Sequence, residues 1–182
     1  MIVIPAIDIR VGNCVRLIKG DFNRQTIYSD NPLEIAGMWF KAGAEYIHLV
    51  DLDGALEGKS VNSDIFIQIS NTFKNKKIQV GGGIRDLEIA RHYLDSGIDK
   101  IIVGTRAIED PYFISNLCDL YPNRILLGVD SKEGFIKTKG WKKETSIKTL
   151  DLIRRYNKYP LAGFIFTDIS KDGMMVGPNL KT

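Results

Sequence analysis

Two short apolar runs in this chain echo each other, and each ends on an aspartate. The first is Ile2-Val3-Ile4-Pro5-Ala6-Ile7-Asp8, followed at a distance by Tyr46-Ile47-His48-Leu49-Val50-Asp51-Leu52-Asp53-Gly54. The second is Ile125-Leu126-Leu127-Gly128-Val129-Asp130, followed by Gly163-Phe164-Ile165-Phe166-Thr167-Asp168 and then Asp172-Gly173. Asp8 and Asp130 stand 122 positions apart, and Asp51 and Asp168 stand 117 apart. A repeated half that delivers one carboxylate per copy suggests a pseudo-two-fold site in which one carboxyl works as acid and the other as base. The competing reading is a strand-end aspartate that caps the turn after it.

A second set of residues suits phosphate. Val80-Gly81-Gly82-Gly83-Ile84-Arg85-Asp86 follows an apolar run and leads into a helical pattern, and the next run ends in Val103-Gly104-Thr105-Arg106. Backbone N–H groups at such strand-to-helix turns hold anions, and glycine lets an oxygen approach the main chain. Gly82, Gly83, Gly104 and Thr105 are therefore expected to grip one phosphate from two neighbouring strands, unless the glycines only form tight turns. Arg16 and Arg85 are candidate partners for phosphate or carboxamide, or solvated charges.

The elements that would carry these residues read as short β-branched strands alternating with amphipathic helices. Strands are expected over 2–7, 45–50, 77–80, 100–103, 125–129 and 163–167, and their near-continuous apolar character fits a parallel sheet covered on both faces. Asn31-Pro32 opens a helix running towards Gly43, Asp86 caps one that stops at Gly97, and Asp110-Pro111 opens a third. Ser146 precedes a fourth, with Ile147, Leu150, Ile153 and Arg154 at helical spacing. The longest intervals follow strands one and five, and extended loops are expected over Val11–Asp30 and Ser131–Thr145. Long loops in matching places of two halves favour a two-fold (β/α)8 barrel over a doubly wound sheet, because a barrel gathers every strand-end loop at one mouth.

Composition narrows the class. At 182 residues and 44% apolar content, one domain with a substantial core is expected. The net charge of +3, without a basic cluster interleaved with aromatics, argues against nucleic acid. Cys14 and Cys118 lie in no metal-ligand spacing and read as free thiols of a reducing compartment. The opening run, broken by Pro5 and charged at Asp8 and Arg10, is neither signal peptide nor membrane span, so a cytoplasmic protein is expected. His48 falls mid-strand and His92 on a helix face, poor places for catalysis.

Pro5-Ala6-Ile7-Asp8, Val15-Arg16-Leu17, Gly20-Asp21, Leu49-Val50-Asp51-Leu52-Asp53-Gly54-Ala55, Gly81-Gly82-Gly83-Ile84-Arg85, Gly140-Trp141 and Thr167-Asp168-Ile169-Ser170-Lys171-Asp172-Gly173 together resemble the histidine-biosynthesis isomerase family. Enzymes of that family act on ProFAR, a phosphoribosylformimino aminoimidazole carboxamide ribotide with two phosphates. The resemblance spans essentially the whole chain. It implies a (β/α)8 barrel of two similar halves, an Amadori rearrangement of an aminoaldose to an aminoketose, and no metal or organic cofactor. It makes Asp8 the base and Asp130 the acid, an assignment the residues alone leave open, and sets Thr167 near the reacting sugar. It places Asp51 at the barrel mouth, where support of loop N–H groups is an equal reading. Asp172 and Gly173 fall where the second half would grip the far end of the substrate, and Trp141 could stack on its imidazole ring. Many family members carry arginine where Lys139 stands.

Eight βα units at this spacing need more than about 200 residues. The chain, ending at Asn179-Leu180-Lys181-Thr182 where the sixth helix of the barrel should begin, is therefore expected to hold about six of eight units in one barrel domain over 1–182, lacking the last two. A full-length monomer is expected, with no membrane partner. Two other functions fit the residues less closely: the related cyclase that makes imidazole glycerol phosphate, in which a cysteine-containing first strand would be expected, and a phosphosugar-binding scaffold without catalysis.

Overall fold

The computed structural model describes residues 2–174 and Gly177, so the expected start of a helix at 179–182 lies outside the described residues. The chain divides into two compact units, Met1–Arg16 with Thr26–Ile102 and Leu17–Gln25 with Val103–Thr182. Among the described residues no helix is long and apolar enough to cross a membrane.

The first unit is a run of βα modules. In chain order it contains β1 (Ala6–Arg10), β2 (Asn13–Ile18), β3 (Asp21–Ser29), α1 (Pro32–Lys41), β4 (Tyr46–Asp51), α2 (Leu52–Glu57), α3 (Ser63–Thr72), β5 (Lys77–Gly81), α4 (Leu87–Asp95) and β6 (Lys100–Val103), except that Leu17–Gln25 of β2, β3 and the turn between them, and Val103, belong to the second unit. Strands β1, β4, β5 and β6 pair in that order, all parallel. Ile47, Leu49, Ile78, Val80 and Ile101 bury completely or nearly so, as do Ala36, Phe66, Ile69 and Ala90 from the helices. Helix starts follow the sequence closely. Asn31 accepts from the Glu34 N–H, and Asp86 accepts from the Ile89 N–H at 2.8 Å.

The second unit repeats the plan with α5 (Thr105–Glu109), α6 (Pro111–Leu120), β7 (Ile125–Lys132), β8 (Phe135–Thr138), β9 (Lys143–Lys148), α7 (Thr149–Tyr156) and β10 (Gly163–Asp168). Asp110 caps α6 by accepting from the N–H groups of Tyr112 and Phe113. β10 lies parallel to β7, and Ile125, Leu127, Val129, Ile114, Leu117, Leu152 and Tyr156 form the core. Both cysteines are free and buried, and burial pushes each thiol up to about 11.

Several expectations need correction. The first strand runs over 6–10 rather than 2–7; Ile2 and Val3 stay exposed, and pairing with β4 and β2 begins after Pro5. The regions expected as extended loops are largely β-ribbons: β2 and β3 after the first strand, β8 and β9 after the fifth. Ile147 lies in β9, so the following helix begins at Thr149 rather than beside Ser146. The short helices α2 and α5, and the full helix α3, are additions.

The repeat is closer than the strands alone suggest. β1 and β7 each leave through a two-residue turn, Val11-Gly12 and Glu133-Gly134, with φ positive at both residues of both turns. Paired positive φ values mark the turn that matches strand twist in tight hairpins. Arg10 then pairs with Asn13 and Lys132 with Phe135, at the same 122-residue offset that separates the two aspartates.

Candidate active site

Asp8 and Asp130 occupy equivalent places. In the parallel ladders Asp8 is registered with Val50 and Ile9 with Asp51; Asp130 is registered with Thr167 and Ser131 with Asp168. Each aspartate lies two residues before the end of its strand and three before the turn, half-buried on the face opposite its buried neighbour Ile9 or Ser131.

Their surroundings differ. The Asp130 carboxylate accepts hydrogen bonds from the Trp141 indole and the Thr167 hydroxyl, and Asp172 adds a negative charge nearby. Burial dominates and pushes the Asp130 carboxyl above the ordinary value of 3.8; Asp172 adds to the rise, and the two donors oppose it. A carboxyl held protonated more readily than a solvated one is suited to act as an acid.

Trp141 reaches Asp130 at the cost of an uncommon backbone. Lys139, Gly140 and Trp141 all have positive φ, at 55°, 60° and 68°. A bulky residue there is a genuine outlier, held only when its surroundings over-determine it. Three contacts do so. The indole bonds Asp130, the ring lies so close to Gly20 that a Cβ there would come within 2.5 Å of ring carbons, and the Lys139 N–H donates to Thr105 Oγ1 at 2.9 Å. Lys139 Nζ also lies 3.8 Å from Glu109. Gly173 packs against the Leu17 carbonyl, at 2.9 Å from where its Cβ would be. Asp172 is exposed.

In the first unit Asp51 is completely buried and fully committed. Its Oδ1 accepts from the Gly54 N–H (2.8 Å) and Asn62 Nδ2 (2.7 Å), and its Oδ2 from the N–H groups of Val61 (2.8 Å) and Asn62 (3.0 Å). Of the two readings open in the sequence, loop support is the one these hydrogen bonds display. Gly82 and Gly83 likewise have packing reasons. At φ +100° and +74°, their Cβ atoms would come within 2.2 Å of the Asp51 carbonyl oxygen and 2.3 Å of the Lys59 carbonyl oxygen. The Arg85 guanidinium lies against Gly58. Gly104 is different: an added Cβ meets nothing within 4 Å, so its backbone faces open space at the start of α5. Arg16 is exposed on β2. His48 stays neutral, lowered by burial to about 4, with Gln79 Nε2 at 2.9 Å from its Nδ1.

Asn62 was not among the residues singled out in the sequence. Its spacing resembles that of a helix cap, and only the folded chain brings it to Asp51 and Asp53.

The Histidine biosynthesis protein family model matches residues 2–182. The chain belongs to that family. Its members are (β/α)8 barrels, and among the described residues the first unit holds four mutually parallel strands and the second unit holds two. A relative from Ruthia magnifica subsp. Calyptogena magnifica is 42% identical over 181 residues, spanning 100% of this chain and 74% of the relative. One from Vesicomyosocius okutanii is 44% identical over 181 residues, and one from Pseudomonas syringae pv. tomato is 42% identical over 180, with 74% of each relative covered. All three are named as the 1-(5-phosphoribosyl)-5-((5-phosphoribosylamino)methylideneamino) imidazole-4-carboxamide isomerase, the ProFAR isomerase of histidine biosynthesis.

Proposed function

We propose that this chain performs the aldose–ketose isomerisation of ProFAR, with Asp8 and Asp130 as its base and acid. The observation that carries the assignment is the Asp130 carboxyl, raised by burial and held by Thr167 and Trp141. Asp8, at the equivalent register position, has Val50 beside it where Asp130 has Thr167. Two carboxyls in repeated places with different neighbours suit two different proton-transfer roles.

The reaction needs both. Asp130 delivers its proton to the ribose ring oxygen as the C1′–O bond breaks, giving an open-chain Schiff base. Asp8 removes the C2′ proton, leaving an enolamine whose 2′-hydroxyl becomes the ketone as C1′ is protonated. The proton count is unchanged and no electron leaves the substrate, so no redox partner enters. Thr167 steers the Asp130 carboxyl, and Trp141 offers its ring to the imidazole once its bond to Asp130 is released. The substrate carries two phosphates. The backbone at Gly104, with the Thr105 hydroxyl and open space on its Cβ side, is a candidate for anion contact, as are the N–H groups of Gly82 and Gly83; Arg16, Arg85, Asp172 and Gly173 are secondary candidates. A cytoplasmic monomer that binds neither nucleic acid nor membrane belongs to the same reading, and sedimentation of the purified protein tests the monomer.

Incubating the purified chain with ProFAR and separating the products by chromatography tests the activity. The phosphoribulosyl isomer is the expected product. Phosphate-dependent binding of ProFAR without conversion would support the scaffold reading instead. In a separate incubation supplied with the isomerised product and ammonia, formation of imidazole glycerol phosphate would support the cyclase.

A further inference from the structure

The sharp turn after β1 rests on a residue that does not suit it. Val11, β-branched and 76% exposed, has φ +48°, and Gly12 follows at +75°. A β-branched side chain at positive φ is a genuine outlier, and such outliers persist only where other contacts fix them. Here the contacts come from two side chains on other segments. Asp53 Oδ2 accepts from the Val11 N–H at 2.6 Å, and Asn62 Oδ1 accepts from the Gly12 N–H at 3.3 Å.

Asn62 is the centre of this arrangement. It sits at the N-cap of α3, yet its side chain makes no capping bond. Its Nδ2 instead donates to Asp51 Oδ1 at 2.7 Å and to Asp53 Oδ2 at 2.9 Å, and it is only 6% exposed. Two carboxylates on one side and an N–H on the other fix the amide orientation, because only the nitrogen can donate. The second unit shows that the turn itself does not demand this device. At the equivalent Glu133-Gly134 turn, Thr149 bonds the Gly134 carbonyl through its N–H and hydroxyl, and no carboxamide takes part among the hydrogen bonds described there.

We infer that Asn62, with Asp53, is a positioning residue for Asp8: the pair clamps the strained Val11-Gly12 turn to the end of β4 and so fixes the last residues of β1. The inference rests on the proposed isomerase reading for its catalytic consequence. Asn62 does not touch the reacting group. It acts through a turn that begins three residues beyond Asp8, and through Asp51, which is registered with the neighbouring Ile9.

The route through the turn gives a discriminating experiment. Asn62→Ala in the full chain is expected to lower kcat by up to about 100-fold through misplacement of the base, with KM little changed and the basic-group limb of the pH–rate profile displaced. Val11→Gly removes the need for a clamp, since glycine enters this turn without strain. Alone it should act like wild type, and in Asn62→Ala/Val11→Gly it should restore most of the lost kcat. The Asp8 carboxyl carbon resonance, assigned by its loss in Asp8→Asn, should move in Asn62→Ala and return in the double variant. A kcat loss that Val11→Gly does not rescue, or an Asp8 resonance unmoved by Asn62→Ala, overturns the inference. If Asn62→Ala does not fold, Asp53→Ala with and without Val11→Gly gives the same comparison. Should wild type fail to isomerise ProFAR, the isomerase reading falls, and the Asp8 resonance still decides the positioning.

Discussion

Thr167 stands directly across from Asp130 in the parallel register of β10 on β7, and its hydroxyl donates to the Asp130 carboxylate. Val50 holds the matching position beside Asp8. The repeat therefore copies the place of the carboxylate without copying the threonine beside it. Thr167→Val gives Asp130 the neighbour that Asp8 has. It is expected to raise the Asp130 pKa further by removing a donor to the ionised form, and to lower kcat; steady-state kinetics across pH read both.

Substituting either aspartate tests the acid–base pair. Asp8→Asn and Asp130→Asn should each lower kcat by about 10²–10⁴-fold, with the circular dichroism spectrum unchanged. Near-normal turnover in one variant removes that residue from the mechanism.

Stability against pH should carry the mark of Asp130. Its folded pKa lies above the unfolded value of about 3.8, so the native state holds its proton more tightly than the unfolded chain does. That contribution is complete below the unfolded pKa and is lost as pH rises through the folded one. Asp130→Asn cannot titrate. Denaturant melts should therefore show the variant gaining on wild type as pH rises from about 4 towards neutrality; a constant difference would contradict the burial effect.

Trp141 can be tested without removing its ring. Trp141→Phe keeps an aromatic group near Gly20 but deletes the N–H that bonds Asp130. The acid limb of the pH–rate profile should move upward, in the same direction as for Thr167→Val. A profile identical to wild type would mean that the indole bond is not kept in the working enzyme.

The glycine turns should part company. A Cβ at Gly82 would collide with the Asp51 carbonyl, so Gly82→Ala is expected to destabilise the fold by several kcal/mol (about 3 or more, by overpacking and φ strain combined). Its effect on phosphate cannot be separated from that loss. Gly104→Ala adds a methyl where nothing lies within 4 Å, and should fold. Weakened phosphate binding by Gly104→Ala in a calorimetric titration supports an anion at this backbone; unchanged binding removes Gly104 from the site.

Much of this was legible in the sequence because it depends on local chemistry. Asn31, Asp86 and Asp110 were readable as helix caps since each bonds N–H groups two or three residues ahead. The equivalence of Asp8 and Asp130 was readable from a constant offset. The ribbons were not read, although Val11-Gly12 and Glu133-Gly134 are two-residue turns of the kind that join strands; the polar residues around them resembled loop. The first strand was displaced because the Ile2–Ile4 run is apolar yet exposed, and hydrophobicity alone cannot say which residues find a neighbour. Asn62 could not be found at all. Its bonds reach Gly12, 50 residues away, and nothing local distinguishes it from an ordinary cap.

The shared turns bear on how such a chain tolerates length change. From Asp8 to Gly12 and from Asp130 to Gly134 the spacing is identical, while the two halves drift by several residues farther out, 122 against 117. One inserted residue between either aspartate and its turn would reverse the inside–outside alternation of everything from the carboxylate to the ribbon. Insertions between the ribbons and the next parallel strand meet no such parity rule. Indels in descendants of this chain should therefore collect in the connecting segments and avoid these two five-residue stretches.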